Sequence, residues 1–394
     1  MTSEVQAMDK RILIVTKLND EHAHLIATGL EMMGATPSIF RFGMMPVHET
    51  HTISLGDKAT FYVDGAALLD EDIPYDRVWL RRIGGSSVKL LDVQESDKAY
   101  VSNIMTAYRA SLFAFLDRLA AQRPGVMVNG YWGKLAAESK VLQLWQARIV
   151  GLSVPATLQS NDVEAIRSFQ DGHGGRIICK PLIPQMWQGE DSLAFAYTSI
   201  MPPVASLPAD ALSLHPAIYQ PYVEKAFEAR VIIFGGRQFG IKIDSQSDPL
   251  SVVDWRGKRL LKDNNDNYRL PPEVFDQCQD LMRALGISYG AFDFIVTPAG
   301  EHVFLEVNEA GQFLFVEDCA PGDKIAHAFC HFLIHGTLQD WSEKDVTFTL
   351  KDLLSSAGAL ARKQADSRYR DHDRTSRISR MDNLVGSHYV SEAR

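Results

Sequence analysis

The chain has 394 residues, too many for one ordinary domain, and 46 % hydrophobic residues supply apolar content for two or three cores in series. Its formal net charge of −9 offers no global positive field to draw in nucleic acid or an anionic membrane. Cys179, Cys278, Cys319 and Cys330 follow no metal or disulfide spacing, no N-terminal segment reads as a signal peptide, and no apolar run approaches the roughly 20 residues that span a bilayer. A cytoplasmic, multidomain enzyme is expected.

Arg11 to Thr16 (RILIVT) reads as a strand, followed by Asn19 and Asp20 as cap candidates and an apolar-periodic helix that stops at Gly34. Ser38 to Phe42, Thr60 to Val63 and Arg77 to Leu80 are further strands, so the first third is a small α/β layer. From Glu95 to Gln122, Val101, Ile104, Met105, Tyr108, Leu112, Phe115, Leu116 and Leu119 recur at helical spacing, which predicts a core-facing helix. A short strand at Val126 to Val128, a helix from Gly133 to Val150 and a strand-like Pro155 to Leu158 come next.

The texture then becomes antiparallel β: Arg176 to Leu182, Leu193 to Thr198, Ala217 to Val223, Ala229 to Phe234 and Gln238 to Asp244, with Gly235-Gly236 as hairpin chemistry. Domain boundaries are placed near 125 and 215. From Ala361 the chain is polar and arginine-bearing with interspersed Asp366, Asp371 and Asp373, which predicts a solvated, mobile tail.

The strongest local signal is Tyr289 to Gly311, YGAFDFIVTPAGEHVFLEVNEAG. If Ala299-Gly300 is a two-residue turn between alternating strands, Asp293 lies opposite Glu306, and Asn308 shares their face because strand side chains alternate with period two. Three oxygen ligands on one face are what Mg²⁺ requires. A plain acidic cross-strand pair is the competing reading, but facing carboxylates repel unless a cation lies between them.

Two lysines are in unusual settings. Lys180 ends the apolar strand Ile177-Ile178-Cys179, where a cation needs a partner, and a strand lysine commonly holds nucleotide phosphates. For Lys140, in the helix opened by Gly133, a snorkelling stem reads equally well. Ala217 to Arg230 (AIYQPYVEKAFEAR) resembles an interdomain strand whose backbone can meet an adenine edge beside Gln220.

Lys140, Lys180, the linker Gln220-Pro221-Tyr222-Val223, Glu228-x-Arg230, Asp254-Trp255-Arg256, and Asp293 with Glu306-x-Asn308 stand in the order and spacing of the ATP-grasp ligases. Within that superfamily the chain is similar to the microviridin-type, or graspetide, peptide cyclases, and more distantly to the ribosomal-protein glutamate ligase. The echoes are Trp79-Leu80-Arg81-Arg82, Lys140 to Thr157 (KVLQLWQARIVGLSVPAT), Glu228-Ala229-Arg230-Val231, Asp254-Trp255-Arg256 and Phe304 to Gln312; they run from about residue 11 to 336.

The resemblance implies an α/β fold of the ATP-grasp type: an N-terminal α/β domain (1–125), a central lid domain (126–215) carrying Lys140 and Lys180, and a C-terminal mixed-sheet nucleotide and metal domain (216–336), with 337–394 outside it. It implies ATP and Mg²⁺ as cofactors. Lys140 and Lys180 would contact phosphates, Gln220, Tyr222 and Val223 would surround the adenine, and Glu228 would take the ribose hydroxyls. Arg230 and Arg256 would stabilise the transferring phosphoryl group and the acyl phosphate, and Asp293, Glu306 and Asn308 would hold the metal. The segment after Lys180 (PLIPQMWQGEDS) departs from the family in not being glycine-rich.

The implied reaction activates an Asp or Glu side chain of a precursor peptide as an acyl phosphate and closes it on Thr, Ser or Lys of the same peptide. An intermolecular ligase and a non-catalytic ATP-binding regulator are the alternatives. A homodimer is expected by analogy, with no nucleic acid or membrane partner. Two other signals are set aside. Gly286-Ile287-Ser288-Tyr289-Gly290 matches GxSxG, but a helix precedes it and a strand follows, the reverse of a nucleophile elbow. His327, His331 and His335 fall one helical turn apart with no carboxylate at matching spacing, which favours packing over metal binding.

Overall fold

The structure, a computed structural model, describes residues 10–43, 45, 49–83, 94–182, 186–188, 193–195, 198–249, 251–257 and 265–371. The chain divides into one unit of Met1–Tyr131 with Leu353–Arg394 and a second of Trp132–Asp352. In the first unit the β-branched run is strand β1 (Arg11–Thr16), followed by helix α1 (Glu21–Met32). The helix stops as the sequence predicts: Gly34 takes φ +79° and the Ala35 N–H returns to the Leu30 carbonyl. β2 (Thr36–Arg41) pairs with β1 in parallel.

β3 (His51–Leu55), β4 (Ala59–Val63) and β5 (Ala66–Asp70) form an antiparallel sheet of their own. Only β4 is legible in the sequence, because the flanking strands bury too little to show alternation. β6 (Arg77–Leu80), helix α2 (Glu95–Ala120) and β7 (Met127–Val128) follow, giving a parallel sheet of order β2-β1-β6-β7. Val101, Leu112, Leu116 and Leu119 of α2 are buried as expected, whereas Ile104 is exposed. In the Trp79 to Arg82 echo, the Arg81 guanidinium lies over the Trp79 ring and 3.6 Å from the Asp20 carboxylate.

The second unit opens with two helices where one is predicted. α3 (Tyr131–Glu138) ends before Ser139, which is extended, and α4 (Lys140–Ile149) restarts behind it. Ser at an N-cap favours such a restart, and it places Lys140 in a first helical turn. After β8 (Leu158–Ser160) and α5 (Val163–Gly172) come β9 (Ile177–Lys180), the paired β10 (Met186–Gln188) and β11 (Leu193–Phe195), β12 (Ser199–Ile200), α6 (Ala209–Leu214) and β13 (Ala217–Pro221). Strands β12-β9-β13-β8 form one small sheet whose core holds Ile166, Ile177, Ala217 and Tyr219.

A second sheet, order β16-β15-β14-β17-β18, is built from β14 (Phe227–Phe234), β15 (Arg237–Ile243), β16 (Asn265–Asn267), β17 (Tyr289–Val296) and β18 (His302–Asn308), with α7 (Pro272–Leu285) between β16 and β17. Gly235 and Gly236 both take positive φ, the hairpin chemistry expected between β14 and β15. One face of this sheet, through Ala229, Val231, Ile233, Phe292, Phe294, Phe304 and Val307, shares a core with Leu144 and Ala147 of α4 and with α7. Gly133 lets α3 lie against the end of α7, since a Cβ there would fall 2.2 Å from the Gly286 carbonyl oxygen.

Helices α8 (Leu314–Cys319) and α9 (Ile325–His335) follow. In α9, His327 Nδ1 accepts from Trp341 Nε1 at 3.0 Å, so that residue of the histidine series packs. The chain then passes through α10 (Leu350–Leu354) and re-enters the first unit as α11 (Ala357–Asp371).

That helix corrects one expectation. The solvated tail predicted from Ala361 instead begins as a packed helix, because Asp366 is fully buried against α1 and β2. Its carboxylate accepts from the Asn19 N–H at 2.8 Å, from His24 Nε2 at 3.0 Å and from Arg41 Nε. The remaining tail lies outside the described residues. Burial works to raise the Asp366 carboxyl, but the His24 and Asn19 hydrogen bonds and the Arg41 charge outweigh it and hold it below the ordinary range. A depressed carboxyl contributes stability above its unfolded-state value, which is lost as pH falls through its folded value. Asp366→Asn is therefore expected to cost about 2 kcal/mol at neutral pH and almost nothing once wild-type Asp366 is protonated. Hydrogen exchange of α1 and α11 against pH checks this, and an equal cost at both ends of the range would contradict it.

Candidate active site

Register brings five polar side chains to one face of the larger sheet. Arg230 of β14 lies opposite Asp293 of β17, which lies opposite Glu306 of β18. Glu228 and Asn308 are two residues away along their strands and share that face, because apolar neighbours at odd offsets turn to the core. The Asp293 to Glu306 pairing is the expected one, but the turn is not. Val296 pairs with His302, and the loop between them is closed by Thr297 N–H to the Glu301 carbonyl at 2.9 Å. A bulge then shifts register between Phe294 and Asp293, inserting Leu305 and restoring the predicted opposition.

The contacts are short. Arg230 Nη1 donates to Asp293 Oδ2 at 2.6 Å, and Asn308 Nδ2 donates to Asp293 Oδ2 at 3.3 Å and to Glu306 Oε1 at 3.2 Å. Lys140 Nζ bonds Glu306 Oε2. Arg256, behind β15, holds Asp254 with two side-chain bonds, Nε to Oδ1 at 2.8 Å and Nη2 to Oδ2 at 2.7 Å. On the smaller sheet Lys180 lies opposite Ile218, and Gln220 opposite Ile178. Those four residues share the face that turns away from Ile177 and Tyr219 in its core.

Electrostatics tie the two sheets to one locus. Burial pulls the Lys180 ammonium down to about 8, with Lys140 and Arg256 pushing the same way and Glu306 and Asp254 opposing. Burial likewise opposes ionisation of Glu306, yet Lys140, Arg256 and Lys180 outweigh it and hold the carboxyl at about 2. At Asp293 burial, reinforced by Glu306, wins over Arg230 and Arg256 and pushes the carboxyl up. Lys140, Lys180, Arg230 and Arg256 thus face Asp254, Asp293 and Glu306: four cations against three carboxylates. Such an excess suits a polyanion.

Two carboxylates and an amide oxygen make a hard-cation donor set, and a half-turn of the Asn308 amide presents that oxygen. Asp293 Oδ1 is buried and has no hydrogen-bond partner among the described residues, so the residues present fit Mg²⁺. Among the described residues no group of three or more His, Cys, Asp or Glu is arranged to hold a metal.

The linker residues are placed as follows. Gln220 is buried, Nε2 donating to Thr157 Oγ1 at 3.0 Å, and its Oε1 has no partner among the described residues. Tyr222 carries the Arg176 guanidinium over its ring at 3.9 Å, and Val223 is half-buried beside it. Glu228 Oε1 accepts from Lys225 Nζ at 2.8 Å, while burial pushes its carboxyl up. Lys140 and Lys180 reach the site from different supports, since α4 packs on the larger sheet and β9 belongs to the smaller. The departing segment after Lys180 falls largely outside the described residues.

Sequence reading missed three residues. Lys225 is buried between Glu228 and the Val253 carbonyl, 3.1 Å away, and the only signal is a lysine three residues before a glutamate. Gln143 is buried one turn beyond Lys140 and bonds the backbone of Val307. Gly311 has no room for a side chain, because a Cβ would lie 2.8 Å from both Arg230 Nη2 and Ala291 Cβ.

No family model and no curated protein matches the sequence. Solved structures do. A Chryseobacterium gregarium RiPP-associated ATP-grasp ligase, in complex with ADP and a leader and core peptide, is 22 % identical with a TM-score of 0.71, covering 82 % of this chain and 96 % of that one. The macrocyclase MdnC, bound with precursor peptide MdnA, from Microcystis aeruginosa MRC, is 25 % identical with a TM-score of 0.68, covering 83 % and 100 %. The ATP-grasp ligase PsnB, complexed with minimal precursor, Mg and ADP, is 22 % identical with a TM-score of 0.65, covering 85 % and 98 %. No described helix is long and apolar enough to cross a membrane. This chain therefore has the fold of the ATP-grasp ligases, and the solved structures similar to it include the macrocyclases MdnC and MdnB.

Proposed function

We propose that the chain is an ADP-forming carboxylate ligase that activates Asp or Glu side chains of a ribosomally made precursor peptide and closes them on Thr, Ser or Lys of the same peptide. The observation that carries this is the cation-rich locus around Asp293, Glu306 and Asn308, with a buried carboxylate oxygen that has no partner among the described residues. A pure nucleotide binder has no use for that arrangement of paired arginines and opposed carboxylates. The neighbouring folds bound to ADP and precursor peptides support the same reading.

A carboxylate is a poor acyl donor because oxide would have to leave. In the proposed reaction its oxygen attacks the γ-phosphorus of ATP, the bond to the β-phosphate oxygen breaks, and ADP departs. Asp293, Glu306 and Asn308 would hold Mg²⁺, which would supply positive charge for the phosphate oxygens. Lys140 and Lys180 bind phosphates from two sides, and Arg230 and Arg256 take charge that develops on the transferring group. Gln220, Tyr222 and Val223 frame the adenine, and Glu228 takes the ribose hydroxyls. The peptide hydroxyl or amine then adds to the acyl carbon, the carbon to phosphate-oxygen bond breaks, and phosphate leaves with the proton balance of one water lost per crosslink.

Within this reading the small sheet β12-β9-β13-β8 is the lid and the larger sheet the nucleotide and metal platform. A second copy of the chain is the expected assembly, with exposed Val141, Trp145 and Ile149 of α4 as apolar surface available for it. The four free thiols and the need for ATP support a cytoplasmic reaction.

Mass spectrometry of a candidate precursor incubated with the full chain and Mg-ATP tests the proposal. Loss of whole multiples of one water is expected. Gain of a partner's mass less water would mean intermolecular ligation, and absence of ADP release would leave only a binder.

A further inference from the structure

We propose that Gln143 is a positioning residue that sets the spacing of Glu306 and Asn308, acting through the peptide unit between them; this rests on the metal reading given above. Gln143 is 3 % exposed and stands on α4, three residues after Lys140. Its Nε2 donates to the Val307 carbonyl at 2.9 Å, and its Oε1 accepts the Val307 N–H at 2.8 Å. The same Nε2 bonds the Ala137 carbonyl at the end of α3.

β18 is the edge of its sheet, so the outward backbone groups of Val307 have no strand to pair with. A primary amide carries a donor and an acceptor side by side and so matches both a peptide N–H and a carbonyl. Gln143 therefore serves as a single residue of a missing strand, placed between the two side chains that share the ligand face. From the same helical turn Lys140 bonds Glu306, so α4 holds Glu306 by its side chain and its neighbour by the backbone. Ser153 covers the other outward position, its carbonyl accepting the Phe304 N–H at 2.8 Å, and it marks the near side of the bulge.

The edge bonds matter because Asp293 and Glu306 carry like charge, and Asn308, which bonds both, stands on the same edge strand as Glu306. Without a clamp on β18, mutual repulsion and fraying of an unpaired edge move Glu306 and Asn308 independently. With it, their separation is the fixed repeat of one strand residue pair. Outer partners of metal ligands typically govern metal affinity by about 10- to 100-fold.

The test uses the full chain with Gln143→Met, which keeps volume and removes all three bonds, alongside Gln143→Ala. Mn²⁺ affinity in the presence of ADP is read by electron paramagnetic resonance, and Val307 amide protection by hydrogen exchange without metal. The expected result is about a tenfold weaker Mn²⁺ affinity, loss of Val307 protection, and unchanged metal-free ADP affinity. Unaltered Mn²⁺ affinity together with lost Val307 protection would overturn the positioning role, leaving Gln143 as packing alone. If wild-type chain with ADP fails to bind Mn²⁺ at all, the metal reading itself has failed, a result distinct from either.

Discussion

Glu306→Gln is expected to lower peptide-dependent ADP release by about a thousandfold, equivalent to roughly 4 kcal/mol of barrier, while leaving nucleotide binding intact. Glu306 is where the site's charges meet: Lys140 and Asn308 bond it, and Lys140, Arg256 and Lys180 lower its carboxyl. An amide keeps the side chain's length and can still accept from Asn308. It cannot balance a divalent cation or the two lysines. The locus then holds four cations against two carboxylates, which favours a bare polyphosphate, so ATP affinity without Mg²⁺ is expected to hold or rise while turnover falls. Calorimetric titration of ATP with and without Mg²⁺, beside a coupled ADP assay, separates the two effects. Turnover within tenfold of wild type would remove Glu306 from the metal site.

The second large effect is expected at Arg256. Its side chain is 46 % exposed, so Arg256→Ala removes little packing, yet turnover should fall by about a thousandfold if the guanidinium meets charge that appears only in the transition state. Arg256→Lys should recover less than about a tenth of the loss, because an ammonium cannot reproduce the paired bonds from Nε and Nη2 that orient the group on Asp254. The KM for ATP should change little in either variant. Steady-state kinetics with the peptide saturating is the measurement, and a rise in KM at constant kcat would assign Arg256 to ground-state binding instead.

Much of the platform was legible because strand alternation is a local property. Asp293, Glu306 and Asn308 could be placed on one face by counting along apolar strands, whereas Arg230 and Glu228 entered only through the family resemblance. The turn was misread all the same. The loop from Thr297 to Glu301 and the bulge at Leu305 are two deviations that cancel, and nothing in the local pattern separates them from a tight turn without a bulge. The resemblance groups Lys140 and Lys180 in one lid domain, whereas α4 packs on the larger sheet and β9 belongs to the smaller. Gln143 and Lys225 carry no periodic signal, since a buried polar residue is recognisable only by the partner that satisfies it.

The sequence by itself determined the secondary elements with strong period, the ligand types, and the order in which cations and carboxylates recur. Those follow from steric and hydrophobic preferences acting over a few neighbouring residues. Only the tertiary structure decided which edge of the sheet needs an outside amide, that the chain's polar end returns as a helix to bury Asp366, and that Lys140 sits on the platform. Each of these is settled by partners more than a hundred residues away in the chain, where closure of the fold selects among pairings that local preference leaves equal.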